Sequence, residues 1–203
     1  MDSPRAKVQA RYLPMLAPLI SSEETRYYLT GVRIESHPAG GALLIATDGR
    51  RLGVIHDSTG EVVKPGIFPL SPDLLREVKV EIYGTETTIV EFDGECVALR
   101  KGNRKTFVGL SQFIDGEFPD WRRVFPKGEP RHEAWDFNPA YLAAFQDAAN
   151  GQGVHITGYD AMEPVVIRPV ATPEFVGLLM PMKRQDAHPR GIPDWILRPE
   201  KAA

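Results

Sequence analysis

The sequence predicts an α+β fold of repeated β-α-β-β-β units, with short helices packed on antiparallel sheets. A proline-led helix start recurs at Pro14, Pro72 and Pro139. Each follows a short apolar segment, at residues 8–13, 67–70 and 135–137. Each precedes stretches rich in β-branched and aromatic residues separated by turn chemistry. A repeated order of this kind constrains architecture more strongly than the propensity of any one segment.

In the first unit, Leu13 is a poor cap for a helix expected over residues 14–24. Strands follow at 27–35, 42–47 and 51–56, with His37-Pro38-Ala39-Gly40-Gly41 and Asp48-Gly49 as turns. In the second unit, Ser71 is an N-cap and Pro72 takes the first helical position, where its missing N–H costs nothing. Strands are expected at 78–83, 87–92, 95–100 and 106–110, with Asp93-Gly94 as a hairpin turn. In the third unit, Asn138-Pro139 repeats the cap and starts a helix over 139–150. Strands follow at 153–158, 165–169 and 174–180. Beyond residue 184, Pro189, Gly191, Pro193 and Pro199 are too closely spaced for regular structure. The apolar cluster Trp195, Ile196 and Leu197 reads as docking, either over an exposed sheet edge or in a groove for apolar peptides.

Composition excludes several classes. With 203 residues, 42% apolar and 25% charged, the chain forms one large or two small globular domains. Its longest apolar runs, 13–20 and 175–182, are eight residues each, far below the roughly 18–20 that span a bilayer. The polar start at Asp2, Pro4, Arg5 and Lys7 does not read as a secretory signal. Cys96 has no partner for a disulfide, which points to the cytoplasm. The net charge of −3 argues against coating nucleic acid by bulk charge. Residues 100–131 differ, with 8 Lys and Arg against 4 Asp and Glu. An enzyme is disfavoured: there is no phosphate-cradling glycine loop, no nucleophile elbow and no metal-spaced His or Cys pair. No cofactor and no metal are implied.

Four stretches together resemble the bacterial replicative sliding clamps, the beta subunit of DNA polymerase III. They are Thr25-Arg26-Tyr27-Tyr28-Leu29-Thr30-Gly31-Val32, Ala46-Thr47-Asp48-Gly49-Arg50-Arg51-Leu52, Ile114-Asp115-Gly116-Glu117-Phe118-Pro119-Asp120-Trp121-Arg122-Arg123-Val124, and Leu178-Leu179-Met180-Pro181-Met182-Lys183. They stand in the family's order with compatible spacing, over about residues 7–184. The resemblance implies the DNA-clamp fold. Residues 1–127 match the family's middle domain, a pair of units. Residues 132–184 match the second half of its last domain, a third and unpaired unit, and 185–203 form a tail. An odd unit leaves open sheet edges, so self-association as a dimer or tetramer is expected.

The resemblance also implies a role: a processivity factor that tethers a polymerase or other partner proteins to duplex DNA through a hydrophobic peptide-binding groove. The matching groove positions are Leu29, Thr47, Gly49, Arg51, Leu52, Pro119, Arg123, Val124, Leu179, Met180, Pro181 and Met182. Arg50 stands where the family commonly has His, and Lys183 where it commonly has Arg, which bears on peptide preference. Contact with DNA, without sequence reading, falls to Arg76 and Lys79 on the second helix and to Arg100, Lys101, Arg104 and Lys105 around Gly102-Asn103. The competing reading is a clamp-derived module that binds partner peptides without encircling DNA, since the first and third predicted helices carry no Lys or Arg.

Overall fold

The computed structural model describes residues 4–81, 87–127, 129, 135–160 and 162–182. In chain order the elements are β1 (Ala6–Gln9), α1 (Leu13–Leu16), β2 (Val32–Ser36), β3 (Ala42–Thr47), β4 (Arg51–Asp57), β5 (Glu61–Val62), β6 (Gly66–Phe68) and α2 (Pro72–Glu81). They continue with β7 (Thr88–Phe92), β8 (Cys96–Lys101), β9 (Arg104–Leu110), α3 (Pro139–Ala143), α4 (Gln146–Ala149), β10 (Val154–Thr157), β11 (Val165–Pro169) and β12 (Phe175–Leu179). One antiparallel sheet has the order β5-β1-β7-β8-β9 and the other β10-β11-β12-β4-β3-β2-β6. No helix among the described residues is long and apolar enough to cross a membrane.

Local chemistry accounts for the helix starts. The Leu74 N–H donates to Ser71 Oγ at 3.1 Å, and the Ala140 N–H donates to Asn138 Oδ1 at 2.9 Å. These side chains satisfy amides that no helical carbonyl reaches. The first helix is shorter than expected. α1 has four residues, flanked by 3-10 turns at Ala10–Tyr12 and Ala17–Leu19. Pro18 has no N–H to return to the preceding turn, so the α-helical ladder stops there. The strand expected from Tyr27 begins only at Val32; Glu24–Leu29 is a 3-10 segment. Its end is closed by Thr30 Oγ1 donating to the Tyr27 carbonyl at 2.6 Å. The expected strand at 78–83 is a second correction. Leu74 and Val78 lie four residues apart and are fully buried, and that helical period carries α2 through Glu81. The third expected helix is broken into α3 and α4, and Asn150 ends it with a φ of 45°.

Lead strands are exchanged between the first two units. β1 pairs with β7, and β6 pairs with β2. The core lies between the sheets and the helices. Phe68 on β6 and Phe92 on β7 are both fully buried, with ring centroids 4.6 Å apart. Asp57, also fully buried, accepts hydrogen bonds from the Gln9 backbone at 2.7 Å and the Gln9 side chain at 3.1 Å, tying β4 to β1. The third set of strands joins through β12 and β4, where Leu52 pairs with Leu178 and Gly53 with Gly177. A side chain on Gly177 would strike the Phe145 ring at 2.5 Å, and Phe145 meets Phe175 edge-on at 6.1 Å. Paired glycines thus let aromatic rings press directly on the junction.

Candidate peptide-binding groove and nucleic-acid surface

Residues of β3 and β4 are buried on both faces, so they do not alternate between apolar and polar. One face meets the main core. On the other, Leu43, Ile45, Leu52, Val54 and Leu178 form a second cluster covered by Phe118, Trp121, Phe125 and Val166. The covering segment is held at several points. Asp120 accepts the Arg122 N–H at 3.3 Å, the Arg122 guanidinium stacks on Trp121 at 4.1 Å, and it pairs with Glu35 at 2.9 Å.

This arrangement sorts the predicted groove residues by depth. Leu29 and Leu52 are each 4% exposed, and Leu179 is fully buried in the main core. Leu178 faces the second cluster, and Met180, the first residue past β12, is 40% exposed. Val124 is 51% and Met182 53% exposed. Pro119 and Arg123 are exposed, and Pro181 is half-buried. The Met180 N–H donates to the Arg50 carbonyl at 3.1 Å and the Met182 N–H to the Asp136 carbonyl at 2.7 Å, which holds the segment after β12. Lys183 and the tail with Trp195 and Leu197 lie outside the described residues. Sequence reasoning missed Val166, which pairs with Leu178 on the cluster face. The signal was its place between Val165 and Ile167, both of which point into the core.

The β3–β4 turn is built around Asp48. Its carboxylate accepts the Arg50 and Arg51 N–H groups at 2.9 and 2.8 Å, and the Arg51 guanidinium at 2.6 and 3.0 Å. Thr47 Oγ1 donates to the Arg51 carbonyl at 2.7 Å and accepts the Gly49 N–H at 3.1 Å. Gly49 has a φ of 84°, which suits glycine. Arg51 pairs with Leu179 in register, and its guanidinium also stacks on Tyr141 at 4.7 Å. Arg51 is thus a brace for the turn, whereas Arg50 and Arg123 are exposed. Burial pushes the Asp48 carboxyl upward, but its hydrogen bonds and the Arg51 charge outweigh this and hold it below the ordinary 3.8. Because the folded value is depressed, this stabilisation of the turn is complete above pH 3.8 and is lost as pH falls through the depressed value. An NMR titration is expected to place the Asp48 midpoint below 3.8; a midpoint above it contradicts the brace.

The six predicted DNA contacts do not share one surface. Val97 and Leu99 are in the main core, so Ala98 and Arg100 alternate to the opposite face of the five-stranded sheet. Lys105 pairs with Arg100 in register, and Arg100 donates to Glu91 at 2.6 Å. Both cations line an open cavity of about 760 Å³ together with Arg5 and Lys7. Lys101 pairs with Arg104 at the hairpin tip. Arg76 lies on α2, 3.0 Å from Asp73. Lys79 lines a separate cavity of about 590 Å³ with Arg11, Met15, Asp147 and Asn150, between α1, α2 and α4. Arg11 on this helical side was not foreseen; as a single cation before a proline-led helix, it gives no sequence signal. It pairs with Glu174 at 3.3 Å.

Solved structures with a similar fold include a DnaN sliding clamp, DNA polymerase III subunit beta, from Bartonella birtlesii bound to griselimycin. That likeness has a TM-score of 0.67 and 19% identity, covering 91% of this chain and 67% of that one. A DNA polymerase sliding clamp from Pseudomonas aeruginosa has a TM-score of 0.67 and 17% identity, covering 91% and 68%. The chain has the sliding-clamp fold. In sequence it is similar to the beta sliding clamp of Caulobacter vibrioides, 33% identical over 113 residues, and to that of Escherichia coli, 29% identical over 116. These matches cover 53% and 56% of this chain and 30% of each relative, so the matched segment spans under a third of the beta sliding clamps. No protein-family model matches it.

Proposed function

We propose that this chain is a clamp-like, non-enzymatic processivity factor of the cytoplasm, which holds a polymerase or another partner protein near duplex DNA through an apolar peptide groove. One observation carries the reading. The segment from Phe118 to Phe125 packs on a buried cluster that includes Leu52 of β4 and Leu178 of β12, while Val124 in that segment and Met180 and Met182 just after β12 are exposed. Such a surface suits a short aliphatic or aromatic segment, because Met side chains adapt to varied apolar shapes. We read residues 1–127 as a pair of units and 132–184 as a third unit. Fluorescence-anisotropy titration with a polymerase-derived clamp-binding peptide is expected to show saturable binding. Its absence overturns the groove.

DNA contact is assigned to the helical side, through Arg11, Arg76 and Lys79; Arg100 and Lys105, on the opposite face of their sheet, and Lys101 and Arg104, at the hairpin tip, are left out of it. Contacts to phosphate release counterions, so affinity is expected to be indifferent to sequence. It is expected to fall roughly ten- to fortyfold between 50 and 200 mM salt for two or three phosphate contacts. The second reading, a peptide-binding module without DNA, is favoured by α1, α3 and α4, which contain no Lys or Arg, and by the acidic partners of Arg76. Affinity for duplex DNA that is absent, or unchanged by salt, decides for the module.

A further inference from the structure

The first two units cover each other by strand exchange, and among the described residues the third has the same parts without a counterpart. In the exchange, β6 covers β2 and β1 covers β7, and Val32, Ile34, Val90 and Phe92 on the covered strands are fully buried. The corresponding strand of the third unit, β10, ends its sheet among the described residues. Ile156 on β10 pairs with Ile167, which is fully buried, so Ile156 lies on the core side of the sheet and is nonetheless 40% exposed. α3 buries no residue, whereas α2 buries Leu74 and Val78 completely. Only residues 128–134 lie between Lys127 and Trp135, too few for another unit in between.

The edges also differ in chemistry. An exposed edge strand is normally blunted by Lys, Pro, a bulge or shortness. β9, at the edge of the other sheet, carries Arg104 and Lys105 and a bulge in its pairing with β8, while β5 and β6 have two and three residues. β10 reads Val-His-Ile-Thr and has no Lys, Arg or Pro. Among these four edges it is the one left suited to pairing.

We propose that a second copy of this chain completes the third unit. β10 of each copy pairs with the lead segment around Trp135–Phe137 of the other about a two-fold axis, so that two odd units form one domain built like the pair spanning β1 to β9. Such a contact uses the same surface on both copies and closes as a dimer. The inference rests on reading residues 132–184 as an unpaired unit.

Sedimentation equilibrium of the full chain is expected to give twice the 22.6 kDa chain mass. Ile156→Asp is expected to raise the dimer dissociation constant at least tenfold, and Val108→Asp on β9 to leave it unchanged. Amide exchange at residues 154–157 of the unmodified chain is expected to slow as concentration rises, a readout that holds even if Ile156→Asp fails to fold. A monomer at tens of micromolar, or a dimer broken by Val108→Asp and not by Ile156→Asp, overturns the proposal. A monomer that dimerises when residues 185–203 are removed also overturns it, since the tail is then the occupant. Peptide titration of the same samples separates the two readings: intact peptide binding without a dimer removes this inference alone, and absent peptide binding removes the groove.

Discussion

Met180→Asp and Val124→Asp are each expected to weaken binding of a short apolar peptide at least tenfold, with little change in the free energy of unfolding. Both side chains are substantially exposed in the free chain, at 40% and 51%, so a carboxylate is tolerated there until a ligand covers it. Under a bound apolar residue the charge loses water and finds no acceptor-satisfying partner. That costs on the order of 1–3 kcal/mol or more, and about 1.4 kcal/mol is a tenfold change in Kd. Leu52→Asp is a poorer probe. Leu52 is 4% exposed and sits in the cluster with Leu178 and Trp121, so a carboxylate there disrupts the sheet junction itself. Anisotropy titrations paired with urea melts separate the two effects. Unchanged Kd for both surface variants removes the groove from this face.

Phe68→Ala is expected to lower the free energy of unfolding by about 3–5 kcal/mol, as a large buried aromatic replaced by Ala leaves both lost transfer energy and a cavity. Phe68 is fully buried, stacks near Phe92 at 4.6 Å, and belongs to β6, the strand that crosses from the second unit to pair with β2. Its loss therefore weakens a junction between two sheets as well as one packing site. Urea denaturation followed by circular dichroism measures it. A loss below about 1 kcal/mol would show that the two sheets do not depend on this contact.

What was legible in the sequence was local. Ser71-Pro72 and Asn138-Pro139 start helices because cap, proline and first-turn amides lie within three residues of one another. Asp93-Gly94 turns because the Asp93 carboxylate accepts the N–H groups of Glu95 and Cys96 at 2.9 and 2.7 Å, and Gly94 takes a φ of 111°. Such short-range signals were enough to establish the α+β class.

Tertiary structure alone decided where those elements meet. Nothing near Ala6 says that its strand partner is Phe92 rather than the first unit's own β2, because the pairing is set by which apolar faces must be covered across the whole chain. The same long-range register sends Arg100 and Lys105 to the face opposite α2 and turns Leu178 to the second cluster while Leu179 enters the main core. A one-residue change of register reverses each of these assignments, and only the folded sheets, by burying one face and not the other, select among them.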